Sequence, residues 1–349
     1  MSSKNVKKMK ILIWGLGSIG QRHLRNLYKI APKTKFFAIR KKFTTPVLNN
    51  LNIPQNVDLK QKYDITYLSS VDDLEKFKIN IDAAFICTPS KFHVDQAIQL
   101  IKRNINIFVE KPLGANLNKI KNLKNLLVRK NKIKNMMGFQ LKFDPMILKI
   151  KSLIQRKKLG KIYSIDINHG EHLQDFHPYE NYEISYAAKK RLGGGVLLTQ
   201  IHELDYLYFI FENFKLKVLN SISYKISDLN IDVDDLFIGN LILKNKKNKI
   251  LCNVRSNYFE RPKSRIIKIL GSKGKIEADL NKQIITVYTG KKILIKRFNY
   301  NRNQTFMKEI KYFLNCIKNN KPINQNYNIE NGIKSLELAI NLKKKSIKK

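Results

Sequence analysis

The apolar run Lys10-Ile11-Leu12-Ile13-Trp14 leads directly into Gly15-Leu16-Gly17-Ser18-Ile19-Gly20, and a helical pattern opens at Ser18 and continues to Ile30. Few local features restrict a fold more. A strand, a glycine turn and a helix in that order begin a βα unit, and the glycines allow the tight turn that joins them. The same alternation continues downstream. Phe36–Arg40, Ile65–Ser69 and Ala83–Cys87 read as strands, His93–Arg103 as a helix, then Ile105–Val109 as a strand running on to Glu110. Leu117, Ile120, Leu123 and Leu127 keep helical spacing and predict a helix over about 116–131, and Met136–Gln140 reads as a sixth strand. Alternating βα units predict a parallel sheet with helices on both faces.

After about residue 140 the pattern changes. A helix over Pro145–Gln155 leads through Gly160 to a strand at Ile162–His169, then to a loop rich in His and Tyr. Gly193-Gly194-Gly195 precedes a helix carrying His202. From Leu236 to Tyr288 short turns at Asn245–Asn248, Gly271–Gly274 and Leu280–Lys282 separate strands, which predicts an antiparallel meander. Phe306, Ile310, Phe313 and Ile317 mark one late helix, and 332–346 another.

Composition excludes some classes. With 43% hydrophobic residues in 349, the chain can bury a sizeable core and is not generally disordered. The net charge of +40 invites a nucleic-acid reading, but the lysines are spread over nearly every segment together with Asn and Ile. That is the signature of an AT-rich coding composition, and no specific nucleic-acid partner is expected. Lys343-Lys344-Lys345 with Lys348-Lys349 reads as a solvated basic helix end. Cys87, Cys252 and Cys316 are far apart and odd in number, which fits a reducing compartment. No segment approaches a membrane span or a signal-peptide core, so a cytoplasmic protein is expected.

The glycine segment carries the first chemistry. A helix N-terminus behind a glycine turn offers N–H groups and the positive end of a dipole to a pyrophosphate, so Gly15, Gly17, Ser18, Ile19 and Gly20 are candidates for holding a dinucleotide. The end of the second strand selects between cofactors. An acid there would serve the ribose hydroxyls of NAD, whereas Arg40-Lys41-Lys42 suits a 2′-phosphate and favours NADP, with Arg40 the better signal in a lysine-rich chain. Thr88 and Pro89 follow the fourth strand, where they could border a nicotinamide ribose, and Ser90 is placed to cap the next helix. Lys111 lies between Glu110 and Pro112 at the carboxyl end of a buried strand, where ligands of open α/β sheets bind. A lysine there can give or take a proton, so the pairing with a dinucleotide loop suggests redox chemistry on a hydroxyl or carbonyl.

The triple glycine marks a second segment. Three glycines allow close approach to a ligand, and His202 and Asp205 share a helical face on which a carboxylate could orient the imidazole. Four of the six histidines lie between 169 and 202, namely His169, His172, His177 and His202. Without an HExxH or paired-cysteine spacing, no metal site is expected. Hydrogen bonding to a substrate by His177 with Tyr179, Tyr182 and Tyr186 is the better reading.

Taken together, Gly15-x-Gly17-x-x-Gly20, Thr88-Pro89 with His93, Glu110-Lys111-Pro112, Gly138-Phe139-Gln140 and the triple glycine with His202 and Asp205 resemble the glucose–fructose oxidoreductase / inositol dehydrogenase (Gfo/Idh/MocA) family. The resemblance covers nearly the whole chain. It implies an α/β protein: an N-terminal NAD(P)-binding Rossmann domain over 1–136, and a C-terminal α/β domain over 137–349 with an open, mostly antiparallel sheet that binds substrate and joins a homodimer or homotetramer. It implies an NAD(P)-dependent dehydrogenase acting on the CH–OH groups of a sugar or nucleotide-sugar, with a place in surface-glycan biosynthesis one possibility and a non-catalytic NAD(P) sensor the alternative. Lys111 takes the family's proton-transfer role and His202 that of its catalytic histidine. His93, Glu110 and Lys111 join Arg40, Thr88 and Pro89 on the cofactor, and Gln140, His177, Tyr182, Thr199 and His202 are assigned to the substrate. Many members carry an aspartate shortly before the histidine, where this chain has Thr199 and Gln200, and an arginine where it has Lys142.

Overall fold

The computed structural model describes residues 8–40 and 45–346; Lys41, Lys42, Lys348 and Lys349 lie outside the described residues. The chain divides into two compact units, each with its own sheet. The first comprises Met1–Gly114, Asn118–Gly138 and Phe306–Glu330, the second Ala115–Leu117, Phe139–Thr305 and Asn331–Lys349.

In the first unit the strands are β1 (Lys10–Trp14), β2 (Lys35–Ile39), a small hairpin of β3 (Val47–Leu48) and β4 (Pro54–Gln55), then β5 (Ile65–Leu68), β6 (Ala83–Ile86), β7 (Asn106–Glu110) and β8 (Asn135–Gly138). Among the described residues all but the hairpin form one parallel sheet in the order β5-β2-β1-β6-β7-β8. Strands buried on both faces need near-continuous apolar runs, and Ile11, Leu12, Ile13 and Ala83 to Ile86 are all within 1% of complete burial. Strand order reverses between β1 and β6. The loops that leave their carboxyl ends, the glycine turn and Thr88-Pro89, therefore flank the switch point at which such sheets bind ligands.

The first unit also takes in a segment that a linear boundary at residue 136 leaves in the second. Helix Asn303–Lys318 packs through Phe313 against Phe85 of β6 and Phe108 of β7, with ring centroids 5.7 Å from each. The apolar stripe read from the sequence is the face that covers this sheet.

In the second unit β9 (Ile162–Gly170), β10 (Lys215–Tyr224), β11 (Leu236–Lys244), β12 (Lys249–Asn257), β13 (Ser264–Gly271), β14 (Gly274–Asp279), β15 (Ile284–Thr289) and β16 (Lys292–Arg297) make one sheet ordered β10-β11-β12-β9-β13-β14-β15-β16. The meander from β11 onward pairs antiparallel as its turns predict, except that β9 inserts between β12 and β13 and runs parallel to β12. The sheet is thus mostly antiparallel. Its strands alternate in burial, so one face packs and the other stays open. The single helix expected around His202 is two, Val196–Thr199 and His202–Ile210, interrupted at Gln200-Ile201. Among the described residues no helix is long and apolar enough to cross a membrane.

Candidate active site

The glycine turn is built as a cradle. Gly15 has φ +100°, a conformation that disfavours any side chain, and a Cβ on Gly20 would lie 1.9 Å from the Gly15 carbonyl oxygen. A Cβ on Gly17 would meet nothing within 4 Å, so the third wall is open. Gly17 caps helix Ser18–Ile30, and no side chain caps its first turn among the described residues. Its N-terminal N–H groups suit an anion, and the residues present fit the pyrophosphate of a dinucleotide. Ser18 and Ile19 form the first turn of that helix. At the end of β2 the Arg40 guanidinium donates from Nη2 to the Thr45 carbonyl at 2.8 Å, holding it beside the strand end.

Three side chains around the β6 and β7 ends have partners inside the fold. Thr88 donates its hydroxyl to Gln96 Oε1 at 2.6 Å. The His93 ring, only 1% exposed, is clasped between the Thr88 carbonyl (2.6 Å from Nε2) and the Pro112 carbonyl (2.8 Å from Nδ1). Two acceptors would satisfy an imidazolium fully, but burial outweighs them and pushes the His93 pKa down; the neutral ring donates to one at a time. The His93 ring thereby ties the Thr88 loop to the Lys111-Pro112 segment. Glu110, also expected on the cofactor, points into the core. Its Oε1 lies 2.7 Å from His23 Nε2, and its Oε2 accepts the Lys111 backbone N–H at 3.1 Å. Lys111 itself is half-buried at the carboxyl end of β7, on the same sheet edge as the glycine turn.

In the second unit His202 is 4% exposed at the start of its helix, with its ring edge-on to Phe139 at 5.7 Å. Asp205 does not serve as its orienting carboxylate in the way the helical spacing suggests. Its Oδ1 lies 2.9 Å from Lys142 Nζ and accepts the Ser335 hydroxyl at 3.1 Å. Burial pushes the Asp205 carboxyl up to about 6 and lowers Lys142, while each opposes the other's shift through the ion pair. Gln140 is buried at the start of the turn that carries Lys142.

Next to His202, Glu203 anchors the helix to the sheet. Arg265 Nε of β13 donates to Glu203 Oε1 at 2.9 Å. Burial alone would push the Glu203 carboxyl up, but Arg265 and then His169 outweigh it and hold it at about 2. His169 Nδ1 lies 3.1 Å from both Arg265 Nη2 and Glu203 Oε1. Burial and then Arg265 lower the His169 pKa, and Glu203 opposes them.

The remaining substrate candidates are internally engaged. Thr199 donates to the Gly195 or Val196 carbonyl, at 3.1 and 3.2 Å, and shares a short bond with the Tyr258 hydroxyl. His177 Nδ1 bonds Glu180 Oε1 at 2.7 Å, and the Tyr182 hydroxyl accepts the Asn230 N–H at 3.2 Å. The cavity that His177 and Tyr182 line is only about 10 Å³, room for one water at most. A larger cavity of about 490 Å³, lined by Asn104, Arg129, Lys130 and Lys132, lies at the amino ends of β7 and β8, away from the ligand-binding edge of that sheet.

Sequence reasoning missed His23, Glu309, Lys142 in its ion pair, and the Glu203–Arg265 pair. Two of them carried a signal. Glu309 falls three residues after Phe306 and four before Phe313, inside the apolar stripe, and His23 likewise lies between Gly20 and Leu27 on a buried face.

A dinucleotide cradle at the switch point of a parallel sheet, with a lysine at a neighbouring strand end, defines an oxidoreductase of the nicotinamide-dependent class. The chain belongs to the GFO/IDH/MocA oxidoreductase family: its NAD-binding Rossmann-fold model matches residues 9–139 and its C-terminal alpha/beta domain model residues 151–349. The myo-inositol 2-dehydrogenase of Thermotoga maritima is 23% identical over 329 residues, 90% of each chain. The scyllo-inositol dehydrogenase of Lactobacillus casei with bound NAD(H) and scyllo-inositol superposes with a TM-score of 0.75, at 22% identity over 97% of both chains. The WlbA dehydrogenase of Bordetella pertussis, solved with NADH and UDP-GlcNAcA, gives 0.75 at 17% identity over 97% of both.

Proposed function

We propose that this chain oxidises a CH–OH group of a sugar, a cyclic polyol or a nucleotide-linked sugar to a carbonyl, or runs the reverse reduction, with NAD or NADP. The observation that carries the reading is the placement of Lys111 on the sheet edge that also holds the glycine cradle, at the carboxyl ends of β7 and β1. A bound nicotinamide supplies the two-electron acceptor for the C–H bond. Lys111 takes the hydroxyl proton and returns it in the reverse direction. Glu110 and the His93 clasp hold the Lys111 backbone in place through the bonds described above. His202 hydrogen-bonds the substrate, on a helix whose direction Glu203 and Arg265 fix.

Relatives named for inositol and structures solved with a nucleotide-sugar support both ends of this substrate range. Leu251, Ile293 and Ile295 stand 59%, 63% and 56% exposed on the open face of the second unit's sheet, which supports a homo-oligomer formed through that face. The test is turnover of inositols, free hexoses and UDP-linked amino sugars with NAD⁺ and NADP⁺, monitored at the nicotinamide absorbance. Oxidation of at least one member that is lost in Lys111→Ala supports the reading. Tight cofactor binding with no turnover on the panel would favour the sensor alternative.

A further inference from the structure

Behind Glu110 lie side chains, Glu309, His23 and Cys87, to which no step above gives a task. Glu309, on helix Asn303–Lys318, is fully buried, and neither of its carboxyl oxygens meets a hydrogen-bond partner among the described residues. One of its oxygens, one of Glu110 and a ring nitrogen of His23 lie within 4.8 Å of one another. The surroundings are apolar: the His23 ring packs on Phe85, Phe108 and Phe306 at 5.4, 5.1 and 6.2 Å. Cys87, at the end of β6, is the further titratable group close enough to feel both carboxyls.

Such a group must be neutralised by a cation or by a proton. The geometry disfavours a metal ion. His23 Nε2 and Glu110 Oε1 stand 2.7 Å apart, a hydrogen-bond distance, whereas two ligands about 2.0–2.1 Å from a tetrahedral ion would stand about 3.3 Å apart. His23 Nδ1 also lacks the outer partner that orients a ligating imidazole, among the described residues. Two carboxylates sharing one dry site do not both ionise. Glu110 already accepts hydrogen bonds through both oxygens, from His23 and from the Lys111 amide, which leaves the proton to Glu309.

We propose that Glu309 is a proton-holding positioning residue: it stays a neutral carboxylic acid at neutral pH, so that the buried charge rests on Glu110, which with His23 ties the Lys111 backbone to the helix after the glycine cradle. Burial, then the neighbouring Glu110, act in the direction this requires by pushing the Glu309 pKa up. Its role rests on the reading of Lys111 as the proton-transfer residue. Ionising Glu309 at high pH would put a second negative charge beside Glu110 and disturb Lys111.

The experiment is infrared spectroscopy of the full chain in D₂O at pH 8, with parallel pH–rate profiles, for wild type, Glu309→Gln and Glu309→Leu. We expect a protonated-carboxyl C=O band in wild type that is lost in both variants. We also expect kcat of Glu309→Gln within about threefold of wild type at pH 7, cofactor Kd unchanged, and the alkaline fall of kcat moved or abolished. A wild-type spectrum without that band overturns the proposal even if neither variant folds. So does a stoichiometric metal found by elemental analysis and lost in Glu309→Gln, or an unchanged alkaline limb. Turnover retained in Lys111→Ala removes the underlying reading whatever the spectrum shows; an absent band with Lys111→Ala inactive removes only the role of Glu309.

Discussion

Replacing Lys142 by methionine should unfold the second unit far more easily than replacing Lys142 and Asp205 together. The two side chains are 1% and 2% exposed, with 2.9 Å between Nζ and Oδ1. Lys142 Nζ also donates to Asn331 Oδ1 at 2.5 Å. Methionine keeps the length and apolar volume of lysine but removes the cation, leaving Asp205 buried with the Ser335 hydroxyl and no counter-charge. Breaking one side of a buried pair costs about 3–5 kcal/mol, whereas replacing the whole pair by apolar groups of similar volume is often neutral or stabilising. For a unit of this size each kcal/mol corresponds to about 2–4 °C, so Lys142→Met should lower Tm by roughly 6–20 °C. Adding Asp205→Leu should restore most of that loss, since Ser335 retains the Asn331 carbonyl as a second acceptor at 3.3 Å. Differential scanning calorimetry of wild type, both single variants and the double variant closes the cycle. A Lys142→Met protein within about 1 kcal/mol of wild type, or a double variant no more stable than the single, would refute the reasoning that an uncompensated carboxylate dominates.

Glu203 should give the second unit an acid-sensitive component of stability. Its carboxyl is held at about 2 against an ordinary 4.5, so the contribution is complete above pH 4.5 and disappears as pH falls to 2; the shift corresponds to about 3 kcal/mol. Urea melts should show Glu203→Gln less stable than wild type at pH 7, with the gap closing toward pH 2; a constant gap would contradict this. Arg40→Ala should raise the Kd for NADP about tenfold or more and leave that for NAD unchanged at fixed salt, the loss expected for one charge-assisted bond; equal effects on both would show that Arg40 does not read the 2′-phosphate. His202→Ala should lower kcat about a hundredfold with little change in KM if the histidine acts mainly in the transition state; a loss of stability with ordinary kcat would mark it as a packing residue.

The first unit was the more legible in sequence because its signals are local. A glycine turn between strand and helix, and apolar runs ending at Thr88 and Glu110, name both the fold and the sheet edge that carries the chemistry. Contacts between residues remote in the chain were not legible. Phe306–Glu330 joins the first unit because Phe313 fills a face of β6 and β7, and nothing in the stripe itself says which sheet it covers. β9 pairs parallel with β12 although the intervening meander is antiparallel, since register across some eighty residues leaves no periodic mark. At the site, residue type predicted polar function better than it predicted orientation. His93, Glu110, Thr199 and Asp205 were all singled out as ligand-facing or orienting groups, and each has buried partners of its own, because a polar group near a strand or helix end must first be satisfied inside the fold. His23 and Glu309 were passed over for the opposite reason: ionisable residues in an apolar stripe look like breaks in the pattern.

The central claim is that Lys111 moves the proton of the reacting hydroxyl. The most direct measurement is single-turnover kinetics of Lys111→Ala beside wild type on the substrate that the panel identifies, with cofactor affinity measured separately by fluorescence titration. The account predicts a fall in the rate of the chemical step of about 10²–10⁴-fold with cofactor Kd unchanged, as for removal of a general acid–base group. A chemical step near the wild-type rate in a folded, cofactor-binding Lys111→Ala protein would contradict it.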